Sequence, residues 1–536
     1  MTAKPSRKEW IAAGLLVLVL LVFHWVTLPD GHSWGGDFAM YMAHADNMTS
    51  GKAYTDTGYV FNPHHPRVGP RNYPPGFPMM LALPYAVHGD FDFREQVTAG
   101  VEALKRWVVL MFAAFLLVLY PFCRGRISPL GAGVVVAAVG LNPYLWQLKG
   151  SLASEVPFFL FLYLGLWLAE KIPAERGEGN RDIAFGVAAG LALYMAYATR
   201  SVGLVFIPAV LLHDVWNFRR LRRGSLVLLA VAIPLMVFQN ISLDILADYG
   251  DAVGGAMKES QGPVAKAVGM AKNALSNVGR FPLVFSWSWG GGLPGAMDKG
   301  ITGVLYLVAF IGGWHLLRER IGLSEIFALG YVSALALLPF GGDTRRLVPV
   351  LPIFLIFVAR SYFDGPLTRD APPKRRGARV MALVLGLLLL TAYIGAYQKF
   401  DIGGELDDGV HRADSQEMFD AVRALPEDAV CLFFKPRVLA YYTERGSVGF
   451  QVGGDTPEQL LGFVEELGVT HVVAGPGDES NAPLRFFAST YPERLYATWS
   501  NPRFTIYEVV DETLPAEAVG EVDPGTASKV VADPGD

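Results

Sequence analysis

The chain has 536 residues, 52% of them hydrophobic and only 18% charged, with a formal net charge of −5. These proportions exclude an ordinary soluble enzyme and a basic nucleic-acid-binding protein, and describe a polytopic α-helical membrane protein. Two cysteines cannot make a disulfide framework, so Cys123 and Cys431 are expected as free thiols.

A helix needs about 20 apolar residues to cross a bilayer. Eleven stretches qualify: Trp10–Leu28, Ala103–Phe122, 128–146, Leu152–Ala169, 183–198, 201–216, 225–242, Ile301–Leu317, 323–340, 346–361 and Val380–Tyr397. The first follows Lys4, Arg7 and Lys8 like a secretory signal, but its length and the lack of a small-residue cleavage site predict that it stays. With the N-terminus inside, alternate connections carry Arg124 and Arg126, then Lys171, Arg176 and Arg181, then Arg219 to Arg223, then Arg318 and Arg320, then Lys374 to Arg376. That is the positive-inside pattern, and it puts 29–102, 147–151, 199–200, 243–300, 341–345 and everything after about 399 on the outer face.

The expected domains are a membrane body (1–398) that includes the outer loops 29–102 and 243–300, an outer α/β domain (399–510) and an acidic disordered tail (511–536). Residues 399–536 hold ten Lys/Arg against twenty-five Asp/Glu, as suits an outer segment. Within the α/β domain the patterns predict helix 416–425, strand 429–434, helix 457–467, strand 469–474, helix 483–491 and closing strands 494–499 and 504–510. Gly453-Gly454-Asp455 and Gly475-Pro476-Gly477 read as turns rather than phosphate loops, which leaves an accessory or acceptor-docking module.

The first outer loop is long, polar and aromatic. If a helix begins after Gly35-Gly36, then Asp37, Met40, Tyr41, His44 and Met48 share one face, and Asp46 does not. Asp37 reads equally well as a helix N-cap and as a catalytic carboxylate. Farther on, Tyr73-Pro74-Pro75-Gly76-Phe77-Pro78 predicts a rigid junction before a short apolar helix over 79–87. Five of the ten histidines (His32, His44, His64, His65 and His88) lie in this loop, and Asp37 with His64 or His65 offers ligand types for a divalent metal, without metal-specific spacing.

Charges also sit at the outer ends of spans: Lys149 and Glu155 around the turn before the fourth, Arg200 between the fifth and sixth, and Asp343, Arg345 and Arg346 between the ninth and tenth. Each has an ordinary explanation, such as a helix-dipole partner for Glu155, interfacial snorkelling for Arg200 or an i,i+3 pair of Arg346 with Asp343. All of them on one side, against the positive-inside bias, could converge with Asp37 on one outward cavity.

Asp37 with Tyr41 one turn on, Gly51 and Tyr54 at the end of that helix, Pro74-Pro75, Ser154-Glu155, Thr199-Arg200 and Arg345-Arg346-Leu347-Val348-Pro349 together resemble the GT-C superfamily of integral-membrane glycosyltransferases. More narrowly the pattern is similar to bacterial relatives of the protein mannosyltransferase and lipid A aminoarabinose transferase group. The resemblance implies a multi-pass protein of the bacterial inner (plasma) membrane that takes a hexosyl or pentosyl unit from a polyprenyl-phosphate sugar. The acceptor would be a glycan, lipid or protein hydroxyl on the extracytoplasmic face. It implies Asp37 as the general base, with inversion at the anomeric carbon, and Arg200, Arg345, Arg346 and Lys149 as phosphate contacts. Glu155 would orient the sugar, and Tyr41, Arg71 and Tyr73 would complete the substrate site. Phe38 stands where protein mannosyltransferases carry a second acid, and Tyr73 where a lysine or histidine often precedes the prolines. Competing readings are a lipid or sugar transporter or flippase, a polysaccharide polymerase or ligase using a carrier-linked oligosaccharide, and a polysaccharide-binding scaffold.

Overall fold

The computed structural model describes residues 6–65, 69–87, 92–174, 180–243, 295–319, 321–337, 344–364, 372–400, 402–451, 455–475 and 481–510, with isolated helical positions between 268 and 275. The expected outer loop 243–300 and the tail 511–536 lie almost wholly outside the described residues. The chain divides into two compact units. A helical unit comprises 1–29, 74–77 and 105–404, and a mixed unit comprises 30–73, 78–104 and the chain from 405 on.

In chain order the helices begin α1 (Arg7–Val26), α2 (Gly36–Ser50), α3 (Gly76–Val87), α4 (Val97–Arg124), α5 (Pro129–Gly140), α6 (Pro143–Gly150), α7 (Glu155–Glu170), α8 (Arg181–Thr199), α9 (Phe206–Phe218) and α10 (Arg223–Leu243), and the helical unit is built on α1, α4 from Lys105 on, and α5 to α10. Helices Gly295–Glu319, Leu323–Leu337, Leu351–Ala359 and Pro372–Tyr397 complete it. A helix is present at every one of the eleven expected spans. Among the described residues, six helices are long and apolar enough to cross a bilayer, or seven if a bent pair counts as one span. The bent pair is α5 with α6, which meet at 50°. Pro143 removes a backbone donor at this joint, and Asn142 accepts from the Leu145 amide at 3.1 Å to cap the second half.

The mixed unit joins two parts of the sequence that were expected to belong to separate domains. Five strands, β1 (Val430–Leu432), β2 (Gly446–Val448), β3 (His471–Ala474), β4 (Leu495–Ser500) and β5 (Thr505–Val509), make one sheet in the order β2-β1-β3-β5-β4. The first three are parallel, and β3-β5 and β5-β4 are antiparallel. Helices Ala413–Arg423, Pro457–Glu466 and Ala482–Thr490 stand near their expected positions. The helix Pro436–Thr443 and strand β2 were not expected.

Residues 30–73 of the first loop pack with this sheet in the mixed unit. Residues 58–60 extend the sheet beyond β2, with the Val60 amide donating to Ser447 and the Ser447 amide to Gly58 at 2.9 and 3.0 Å. Trp34 is buried among Phe419, Phe433, Phe434 and Phe504, and its indole N–H donates to Asp408 at 3.1 Å. Emptying a site of that kind costs about 3–5 kcal/mol, enough to commit the loop to the sheet. Farther along, Arg94 bonds Asp46 and Glu444 and lies over Tyr441, whose hydroxyl meets that of Tyr85 at 2.7 Å.

Candidate active site

Two charged clusters contain most of the expected residues, one in each unit. In the mixed unit, α2 (Gly36–Ser50) begins after Gly35, which makes no side-chain cap, and ends at Gly51 with φ 73°. Asp37 is therefore the second helical residue and not the N-cap. The Tyr73 hydroxyl donates to Asp37 Oδ1 at 2.8 Å, and Arg437 Nη1 donates to the same oxygen at 3.0 Å. The Asp37 side chain remains 39% exposed, against 16% for Arg437.

Arg437 is held by its surroundings. It sits on the first turn of the helix Pro436–Thr443, just beyond the carboxyl end of β1, with its guanidinium 5.5 Å from the centre of the Tyr73 ring. Gly36 admits it: a Cβ there would stand 2.5 Å from Nη2 and 3.0 Å from Cζ. Behind this pair lies an aromatic wall. Tyr41 meets Tyr73 edge-on at 5.2 Å, His44 stacks on Tyr54 at 3.9 Å, and the Tyr54 hydroxyl donates to the Tyr73 carbonyl at 2.7 Å. Burial pushes the His44 imidazole from 6.5 down to about 4, against the carbonyls of Tyr54 and Pro70, which favour its protonated form. Arg71, in the short turn Pro70–Asn72, is exposed.

In the helical unit, Glu155 opens α7 with a side chain of 0% exposure. Arg200 Nη1 reaches its Oε1 at 2.5 Å and Ser154 at 3.3 Å. Arg345 grips both carboxylate oxygens, through Nε to Oε1 and Nη2 to Oε2, the latter at 3.1 Å. One buried acid thus faces two guanidiniums that are 21% and 29% exposed. Glu155 holds two arginines side by side, and the planar fork of an arginine suits phosphate oxygens. The adjacent backbone is close-packed, since a Cβ on Gly76 would stand 2.6 Å from the Ala198 carbonyl carbon at the turn leading to Arg200. The Arg346 carbonyl accepts from Tyr331 at 2.8 Å.

The structure thus gathers Glu155, Arg200 and Arg345, and separately Asp37 with Tyr73 and Tyr41. Lys149 is fully buried, with its ammonium donating to the His24 carbonyl at 3.1 Å and lying 4.8 Å from the Trp146 ring centre, the position of a helix-end cap. Asp343 and His88 lie outside the described residues. The expected metal ligands part company: His64 pairs with Glu466 at 2.8 Å and His65 with Asp455 at 2.9 Å. Among the described residues no three His, Cys, Asp or Glu side chains come together in a way that could hold a metal. Cys123 and Cys431 are free and buried. Sequence reasoning missed Arg437, whose only local signal is a proline opening a helix after an apolar run.

No protein family and no curated protein matches the sequence. Among solved structures, the chain is similar to ArnT from Cupriavidus metallidurans bound to undecaprenyl phosphate, with 14% identity, a TM-score of 0.56, and 95% of this chain and 100% of that one covered. It is also similar to the oligosaccharyltransferase AglB from Archaeoglobus fulgidus in complex with an inhibitory peptide and a dolichol-phosphate, with 13% identity, a TM-score of 0.57, and 95% and 74% covered. Apo ArnT gives a TM-score of 0.54 at 15% identity. At these identities the likeness establishes the fold: the chain has the GT-C fold of ArnT and AglB, matched over nearly its whole length.

Proposed function

We propose that the chain is a glycosyltransferase that moves a sugar from a polyprenyl-phosphate carrier to an acceptor hydroxyl, on the extracytoplasmic face of a bacterial inner membrane. The observation that carries this reading is the Asp37 carboxylate: part-exposed, in the first turn of the helix and not its N-cap, and bonded by Tyr73 and Arg437. The fold adds support, since two structures that share it hold undecaprenyl phosphate and dolichol-phosphate. The eleven spans and the inside N-terminus expected from the apolar runs and basic loops of the sequence would suit this location.

The reaction is assigned as follows. The acceptor oxygen attacks the anomeric carbon while Asp37 takes its proton, and the bond from that carbon to the carrier phosphate breaks with its electron pair left on the phosphate oxygen. A single displacement inverts the anomeric configuration. Negative charge gathers on the departing phosphate, and Arg200 and Arg345, already fixed by Glu155, stabilise it without rearranging. Arg346 and Arg71 are held as secondary contacts, and Lys149 is given no part.

The test compares membranes from cells whose sole copy is wild-type or Asp37→Asn. Mass spectrometry of the lipid extract is expected to show a sugar-bearing polyprenyl phosphate accumulating in the variant while one envelope glycan or lipid loses the matching mass. Identical profiles would sink the reading, and a carrier-linked sugar trapped on one side of the membrane would favour a flippase.

A further inference from the structure

We infer that Arg437 is a positioning residue for Asp37, so that the C-terminal α/β domain completes the candidate active site instead of serving as an accessory module. The inference rests on the proposed role of Asp37.

The topology of the sheet is the starting point. From β1 the chain crosses through the helix Pro436–Thr443 to β2 on one side, then through Pro457–Glu466 to β3 on the other. The order reverses at β1, and in open α/β sheets the crevice beyond the carboxyl ends of such strands is where ligands sit. Here Trp34 from the first loop packs on Phe433 and Phe434 just past the end of β1. Arg437, three residues farther on, meets α2. The place where a free-standing domain of this kind would bind a small molecule is given over to holding the start of α2.

The contact is also specific. A surface ion pair tolerates a side chain on either partner's backbone, whereas this one requires a bare Cα at Gly36 for the guanidinium to lie against. Asp37 Oδ1 receives two donors from different elements, the phenol of Tyr73 and the guanidinium of Arg437, and Arg437 itself stands over the Tyr73 ring. Two donors on one oxygen fix the rotation of the carboxyl group, and the adjacent cation stabilises the carboxylate over the carboxylic acid. The Arg437 Nε is buried without a hydrogen-bond partner among the described residues, so the pair with Asp37 does not exhaust the guanidinium.

The test uses the purified full-length chain and a probe that needs no substrate, namely a water-soluble carbodiimide with an amine, with modification of Asp37 read by peptide mass spectrometry. Arg437→Gln is expected to raise the rate of Asp37 modification at least about threefold, because a less stabilised carboxyl spends more time protonated. Gly36→Ala keeps the arginine but displaces it, and is expected to raise the rate alike. Arg437→Lys keeps charge without the planar fork and falls between them and wild type. In cells, sugar transfer is expected to fall about tenfold in Arg437→Gln and Gly36→Ala and to recover partly in Arg437→Lys. Wild-type labelling rates in both Arg437→Gln and Gly36→Ala would overturn the inference, and if the glutamine variant does not fold, Gly36→Ala decides alone. If Asp37→Asn leaves the lipid profile unchanged, the functional reading fails instead, and the labelling still reports whether Arg437 sets Asp37.

Discussion

Asp37 and Glu155 are carboxylates in the first turn of a helix, each bonded by arginine, yet their surroundings differ in kind. Glu155 is sealed from solvent and bonded by two guanidiniums, one of them bidentate, so both of its oxygens are engaged. Asp37 Oδ1 receives a phenol and an arginine, and the side chain is more than a third exposed. A carboxylate sealed from solvent with both oxygens bonded to arginines is not placed to meet a substrate hydroxyl. A part-exposed carboxylate steadied from one side can accept a proton from a substrate hydroxyl. On the proposed function, the comparison assigns the first acid to chemistry and the second to holding arginines in place.

The largest effect that would break this contrast is on turnover. Asp37→Asn is expected to lower sugar transfer between about a hundred- and ten-thousand-fold while the thermal melt of the detergent-solubilised chain stays within a few degrees of wild type. A variant that melts much lower would make Asp37 structural. Glu155→Ala should behave the opposite way in a melt, losing about 3–5 kcal/mol of stability as the buried fork loses its acid. A melt unchanged from wild type would show that the arginines need no acid between them.

The mixed unit should also be sensitive to pH through His44. Its folded value, about 4, lies below the 6.5 of a free imidazole, so this contribution to stability is fully present above about 6.5 and is lost as pH falls toward 4. The loss is on the order of 3 kcal/mol for the fully buried ring. Melting His44→Gln beside wild type from pH 7 to 4 isolates it, since the two curves should converge as the pH drops. The smallest effect concerns the second donor to Asp37. Tyr73→Phe removes one hydrogen bond to a charged acceptor, worth about 1.5–3 kcal/mol, and is expected to slow transfer about tenfold or somewhat more with the melt preserved.

The helices of the helical unit were legible because most are apolar runs with polar ends. Arg200 and Arg345 could be named because cations at helix ends expected to face outward run against the positive-inside bias, and Asp37 and Glu155 because each is an acid at the head of a helix. The helix Pro436–Thr443 and strand β2 escaped because they are eight and three residues long, the helix with two tyrosines and a threonine that argue weakly for it. Arg437 escaped for a different reason: its partner lies 400 positions away, and neither local propensity nor hydrophobic period links them. His64 and His65 looked like metal ligands for the same reason, since their acids, Glu466 and Asp455, lie about as far along the chain. Lys149 looked available because sequence places it at a helix end without showing that the His24 carbonyl is there to receive it.

The measurement that tests the central claim most directly separates binding from chemistry. Undecaprenyl phosphate binding and sugar transfer are measured side by side for Asp37→Asn and for Arg200→Gln/Arg345→Gln. The account predicts that Asp37→Asn binds the lipid as wild type does while transferring no sugar, and that the arginine double variant loses binding by about a hundredfold. Lost binding in Asp37→Asn, or intact binding in the arginine variant, would contradict it.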